Sequence, residues 1–172
     1  MVQEVKVIDS LLDFGSFNYV RNLLKSKHKT FSYDSYFGRY SVSDYDYPEM
    51  RTYLSSVEQK AKKIFNSDTL KKTYILFAHY EGTEAELLPH KDDNACTYTL
   101  DLCLYQNTPW PLYVEGKEYT LGDNQALAFY GEDQEHWRSK FPNPETNQVG
   151  MLFLHYAEPD HWFFKRGINE MD

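Results

Sequence analysis

Beyond the Pro89-His90-Lys91-Asp92 stretch the chain reads with a period of two. Between Cys96 and Tyr105, residues Tyr98, Leu100, Leu102 and Leu104 fall on one face and Thr97, Thr99, Asp101 and Cys103 on the other, the alternation of a strand with two unlike surfaces. Thr73 to Tyr80 is β-branched and aromatic, and Leu112–Val114 and Lys117–Thr120 flank Glu115-Gly116, a hairpin signal. Gln125 to Tyr130 and Val149 to Tyr156 supply two more apolar runs. Turn formers separate them: Pro109-Trp110-Pro111, Leu121-Gly122-Asp123 and the stretch from Pro142 to Asn147. Many short strands at close spacing predict an antiparallel barrel or sandwich. With 172 residues, one domain with a substantial core is the simplest organisation.

The first part of the chain has a different rhythm. After a short strand, Val5 to Ile8, a helix is expected from about Ser16 to Lys25, with Ser16 as its N-cap and Phe17, Val20 and Leu24 on its buried face. Phe31 to Tyr47 is aromatic and polar, a loop or hairpin whose tyrosines either pack on the surface or close over a pocket. Pro48 then opens one amphipathic helix to about Phe65, its stripe marked by Met50, Tyr53, Leu54, Val57, Ala61, Ile64 and Phe65. The expected class is therefore α+β: residues 1–72 mostly helical support and possible lid, 73–156 a β-barrel core, and 157–172 a tail whose His161-Trp162-Phe163-Phe164 docks on the barrel.

Composition excludes some partners. A formal net charge of −8 argues against a nucleic-acid backbone or an anionic membrane. No apolar run approaches the ~18 residues of a membrane span. Cys96 and Cys103 would pair poorly within one strand. With no signal-peptide pattern, reduced thiols and a cytoplasmic location are expected. Oligomeric state is not written in the sequence.

The chemistry concentrates in Pro89-His90-Lys91-Asp92-Asp93 and in His136. On an extended strand His90 and Asp92 point the same way, which sets an imidazole beside a carboxylate. His136 follows the strand that ends at Tyr130. Two histidines and one carboxylate on one face, with other positions open, form a ligand set suited to non-haem Fe(II). A lone His-x-Asp is common by chance; a later His after a strand makes it more specific. The remaining candidates are plainer. Asp93 faces away as a turn carboxylate, His79 packs or hydrogen-bonds, His155 is an ordinary satisfied histidine, and an exposed His28 carries no signal.

Tyr80 upstream of Pro89-His90-Lys91-Asp92, the Gly122-Asp123 turn leading into Ala126-Leu127-Ala128-Phe129-Tyr130, and His136-Trp137-Arg138 together resemble Fe(II)/2-oxoglutarate-dependent dioxygenases, above all the prolyl-4-hydroxylase-like branch. The similarity runs from about Thr73 to Tyr156. It implies a double-stranded β-helix (jelly-roll) barrel buttressed by the N-terminal helices, with His90, Asp92 and His136 as iron ligands. It also implies 2-oxoglutarate and O₂ as cosubstrates, giving succinate and CO₂, and a peptide side chain or small metabolite as substrate. Because Asp92 occupies the second ligand position, hydroxylation rather than halogenation follows.

One departure stands out. The family's basic residue for the distal carboxylate of 2-oxoglutarate lies on the last strand, yet Val149–His155 carries none. Arg138 is the substitute expected here, a guanidinium suited to gripping a carboxylate; a surface ion pair with Glu132 or Glu135 is its rival, and His155 or Lys91 the other substitutes. Tyr80 is expected to donate its hydroxyl to the cosubstrate, with burial in the core as the alternative. Two other functions remain open: a cupin-like metal-binding barrel with a cosubstrate-independent reaction, and a non-catalytic binding module.

Overall fold

The computed structural model describes residues 3–166. Its strands are β1 (Lys6–Ile8), β2 (Ser32–Asp34), β3 (Arg39–Ser43), β4 (Lys71–Glu81), β5 (Leu87–His90), β6 (Tyr98–Gln106), β7 (Leu112–Val114), β8 (Lys117–Tyr119), β9 (Ala126–Phe129), β10 (His136–Arg138) and β11 (Gln148–Ala157). The helices are α1 (Phe14–Lys27), α2 (Arg51–Leu54), α3 (Val57–Ile64) and α4 (Trp162–Arg166). A seven-stranded sheet runs β1-β9-β6-β11-β4-β3-β2 and a four-stranded sheet β5-β10-β7-β8. All pairings are antiparallel.

Two hydrophobic clusters share the large sheet. Leu100, Leu102, Leu104, Leu152 and Leu154 meet Val20 and Leu24 of α1 and Met50, Leu54, Val57 and Ala61 from the α2–α3 region on its outer face. On the inner face, Ala78, Cys103, Leu127, Phe129 and Met151 meet Leu112 and Val114 of the small sheet, with Trp110 and Phe141 filling the space between. This double burial explains why β6 is buried on both its alternating faces, Thr99, Asp101 and Cys103 included. The polar face points into the barrel, not to water. The expected α+β jelly-roll is the observed architecture.

Some local expectations need correcting, while the two expected hairpins form. The cap of α1 is Asp13, whose Oδ1 accepts from Ser16 N at 2.9 Å; Ser16 lies inside the helix, which runs two residues further at each end than expected. The single helix from Pro48 to Phe65 is broken into a 3-10 turn (Pro48–Met50), α2 and α3. The apolar stripe stays in register, but Ser55-Ser56 falls between the helices, where serine favours local turns over helix interior. Residues 94–96 form a 3-10 turn capped by Asp93, so β6 begins at Tyr98. Phe31–Tyr47 contains a true hairpin, β2–β3, which extends the large sheet through β4. Glu115 and Gly116 both have positive φ (49° and 77°), as a tight hairpin turn between β7 and β8 requires. The tail forms α4 as far as Arg166; the rest of the expected tail, 167–172, lies outside the described residues.

Asp44 ties the segment before α2 to β4. Fully buried, it accepts from Ile75 N at 2.9 Å, from Arg51 Nε at 3.0 Å and from Lys72 Nζ. Burial pushes its carboxyl up, but these donors outweigh burial and hold it below the usual range.

Gly150 is fixed by space. It is paired with Tyr105 of β6 on one side and His79 of β4 on the other, and the Tyr105 ring lies across its Cα. Any side chain at 150 would occupy the volume of that ring. Gly150→Ala is therefore expected to destabilise the fold by about 1–3 kcal/mol, the cost of overpacking a filled core, seen as a lower urea midpoint at unchanged slope.

Candidate metal centre

β5 and β10 are neighbours in the small sheet, and their register sets His136 opposite His90. Asp92 follows β5 directly; its backbone N–H donates to Gly131 O at 2.8 Å, which ties the segment after β5 to the turn before β10. The three side chains converge. Asp92 Oδ1 lies 3.2 Å from His90 Nε2 and 3.3 Å from His136 Nε2, and the imidazole centroids are 4.3 Å apart at 54°. Metal–ligand bonds of about 2.1 Å at right angles place neighbouring donor atoms about 3.0 Å apart, so the spacing fits one ion held on one face.

Each imidazole is oriented from behind. His90 Nδ1 is 2.8 Å from Leu88 O and His136 Nδ1 is 2.9 Å from Gln134 O. A carbonyl can only accept, so Nδ1 carries the proton and Nε2 faces Asp92, the outer-shell pattern of metal-binding histidines. Gln134 is itself fixed: its Oε1 accepts from Tyr130 N at 2.9 Å and its Nε2 donates to Gln3 O at 3.0 Å. His136 is buried with its ring 4.8 Å from Phe129, while His90 is more open. Burial alone would raise the Asp92 carboxyl, but hydrogen bonds from His136 and His90 outweigh it and hold it well below the carboxylate range. Burial disfavours the His136 imidazolium, yet Asp92 reverses this and pushes the group upward.

Arg138, on the same strand as His136, points inward. It is 5% exposed, donates to Trp110 O at 2.6 Å and lies 4.9 Å from the indole centroid. The surface ion pair with Glu132 or Glu135 does not form; among the described residues its guanidinium has no carboxylate within salt-bridge distance. Tyr80 packs 4.8 Å from the same Trp110 ring, and its hydroxyl accepts from Arg39 Nη1 at 2.9 Å. Trp110 thus touches both Arg138 and Tyr80.

Some contributors escaped the sequence reading. Asp101, fully buried inside the barrel, has its carboxyl pushed up to about 7 by burial, with Arg138 and His136 opposing. A lone acid among alternating apolar residues was the available signal. Gly131 leaves room for Asp92: a Cβ there would sit 2.5 Å from Asp92 Oδ2 and 2.7 Å from Thr99 Oγ1. His155 is buried against Tyr74, 3.3 Å from Thr99 Oγ1, and burial lowers it to about 4. His28 is not the exposed residue expected. It stacks on His79 at 3.7 Å, and His79 is itself hydrogen-bonded to Tyr105. Cys96 and Cys103 are free thiols, both buried.

Two facing antiparallel sheets with a His-x-Asp pair and a distant His at one point make a double-stranded β-helix, the fold of the solved structures that this chain resembles. No family model and no curated protein matches the sequence; the likeness is in three dimensions. The α-ketoglutarate-dependent epimerase SnoN of nogalamycin biosynthesis superposes with a TM-score of 0.69 at 11% identity, over 91% of this chain and 79% of that one. The viral collagen prolyl hydroxylase of Paramecium Bursaria Chlorella virus-1, solved with 2-oxoglutarate, gives 0.61 at 12%, over 88% and 94%. A Pseudomonas putida prolyl-4-hydroxylase gives 0.64 at 10%, over 91% and 94%. No helix among the described residues is long and apolar enough to cross a membrane.

If the Gly131 notch seats Asp92, Gly131→Ala lowers affinity for Fe(II) or Co(II) about 10- to 100-fold, the size of effect seen when groups supporting metal ligands are disturbed. A metal titration with far-UV circular dichroism as a folding control reads it; unchanged affinity means that Asp92 tolerates displacement.

Proposed function

We propose that this protein is an Fe(II)/2-oxoglutarate-dependent oxygenase that hydroxylates a peptide side chain or small metabolite. The observation that carries the reading is the convergence of His90, Asp92 and His136 on one point at the barrel mouth, each imidazole held by a backbone carbonyl. The donor set, two neutral nitrogens and a carboxylate, suits ferrous iron and leaves positions for cosubstrates. Bound there, the iron with 2-oxoglutarate and O₂ would supply the oxidant for C–H hydroxylation, releasing succinate and CO₂.

The chain's own residues do the positioning. The carbonyls of Leu88 and Gln134 keep both Nε2 atoms aimed inward, and Phe129 screens the His136 ring from water. Arg138 is the residue we assign to the distal carboxylate of 2-oxoglutarate. Its planar donors are preorganised by Trp110 O, and among the described residues no carboxylate lies within ion-pair distance of them. Tyr80 has a hydroxyl that already accepts from Arg39, so its own proton is left to donate to the same cosubstrate. The β2–β3 hairpin, with Tyr33 and Tyr36 exposed, is the segment we assign as lid. Structural neighbours cover both substrate kinds: a Trichoplax adhaerens prolyl hydroxylase is solved with a hypoxia-inducible-factor peptide, and SnoN with Fe3+, α-ketoglutarate and nogalamycin RO. The cytoplasm is the compartment that fits two free thiols.

A second reading has one observation in its favour. Val149, Met151 and Phe153 of β11 pack toward the inner core, so the last strand offers no cation. A cupin-like metal barrel without cosubstrate, or a binding module, would need none.

Anaerobic addition of Fe(II) and then 2-oxoglutarate separates them: a weak visible charge-transfer band is expected only where both bind one metal, and its absence removes the oxygenase reading. His136→Ala should lose the band and turnover, with a stability loss of about 1–2 kcal/mol because the ring is buried. Arg138→Ala should raise the 2-oxoglutarate requirement about 10- to 100-fold, the worth of a charge-assisted hydrogen bond. An unchanged requirement places the anchor elsewhere.

A further inference from the structure

A second group of ligating side chains converges on the outer face of the large sheet, away from the barrel interior. His79 and Glu81 stand two apart on β4 and so share a face. His28 reaches them from the 3-10 turn that follows α1. His28 Nε2 is 3.1 Å from Glu81 Oε1, His79 Nε2 is 3.4 Å from Glu81 Oε2, and the three ligand atoms lie within 4.8 Å of one another.

Both imidazoles are oriented from behind, as at His90 and His136. His28 Nδ1 is 2.7 Å from Lys25 O, a pure acceptor, which holds the ring with Nε2 turned toward Glu81. His79 is fully buried, its Nδ1 is 2.5 Å from the Tyr105 hydroxyl, and its Nε2, 3.4 Å from Glu81 Oε2 but out of hydrogen-bond alignment, has no hydrogen-bond partner. A buried polar nitrogen without a partner is costly and rare.

The support is built into the sheet. Tyr105 reaches His79 from two strands away only because Gly150, on the strand between, has no side chain. Lys25 sits 5.1 Å from the Tyr105 ring centroid and forms no ion pair with Glu81.

We propose that His28, His79 and Glu81 bind a divalent transition metal of the zinc type. Two imidazoles and one carboxylate are a known ligand set for such ions, with a fourth position left open. Each imidazole faces its own oxygen of Glu81, at 3.1 and 3.4 Å, near the spacing of about 3.3–3.5 Å between neighbouring donors of a tetrahedral site with bonds of about 2.0–2.2 Å. The rings stack 3.7 Å apart at 18°, so His28 turns away from Lys25 O to meet the ion, while Tyr105 keeps His79 in place. A groove of about 600 Å³ lined by Glu81, Tyr40, Lys29 and Gln148 gives the open position access to solvent. The bound ion pins the end of α1 to β4.

The test is metal stoichiometry in untagged, chelator-stripped protein titrated with Zn(II) or Co(II). Wild type is expected to bind two equivalents, Asp92→Ala one through this site, and His28→Ala one through the barrel site. In the Asp92→Ala background Zn(II) should raise the melting temperature, and adding His28→Ala should abolish that rise. Glu81→Gln, nearly isosteric, repeats the test should His28→Ala fold poorly. Metal binding in Asp92→Ala protein that survives both His28→Ala and Glu81→Gln overturns the proposal, as does its absence from Asp92→Ala protein. A wild type whose single equivalent is lost with His28 but not with Asp92 would sink the barrel assignment and leave this site standing.

Discussion

One carboxylate gathers the candidate centre. Asp92 sits between two imidazoles that come from separate strands, and it reaches them only because β5 and β10 pair with His90 opposite His136. Strand register has a period of two, so a one-residue slip would turn one histidine away from the other. The rest of the barrel works to prevent that slip. The Gly131 carbonyl holds the Asp92 amide, the Gln134 side chain holds the Tyr130–His136 turn, and the Trp110–Phe141 packing fills the space between the sheets.

Much of this could be read before any coordinates. Alternation located β6 to within a few residues, and β-branched, aromatic or apolar runs bounded by turn formers located β4, β9 and β11. The His-x-Asp pair was visible since its two members are local, and His136 since it follows a well-marked strand. Where the reading failed, the deciding partner was remote or the element too short. His28 looked like surface until Glu81, far along the chain, was placed beside it. Arg138 belongs to a three-residue strand, too brief for alternation to say which way it points. The helix break at Ser55-Ser56 is silent in the pattern because the apolar stripe continues through it in phase.

Space-keeping glycines were the least legible features. Nothing local distinguishes Gly131 or Gly150 from a residue chosen for flexibility. Each matters for what crosses it: the Asp92 carboxylate in one case and the Tyr105 ring in the other. Through Gly150 the two sides of the large sheet are linked mechanically, since the strand that yields to Tyr105 on its outer face presents Val149 and Met151 to the barrel on its inner one.

β5, which carries His90, is an outermost strand with a single neighbour, and Leu88 on it is 65% exposed. A bare apolar margin of that kind invites recruitment of a foreign strand and, in crowded solution, fibrillar self-association. Pro89 lies in its middle and has no N–H to offer. The residue that precedes the first histidine thus acts as a gatekeeper against intermolecular β-pairing, so that templated growth on this exposed border is interrupted beside the candidate centre.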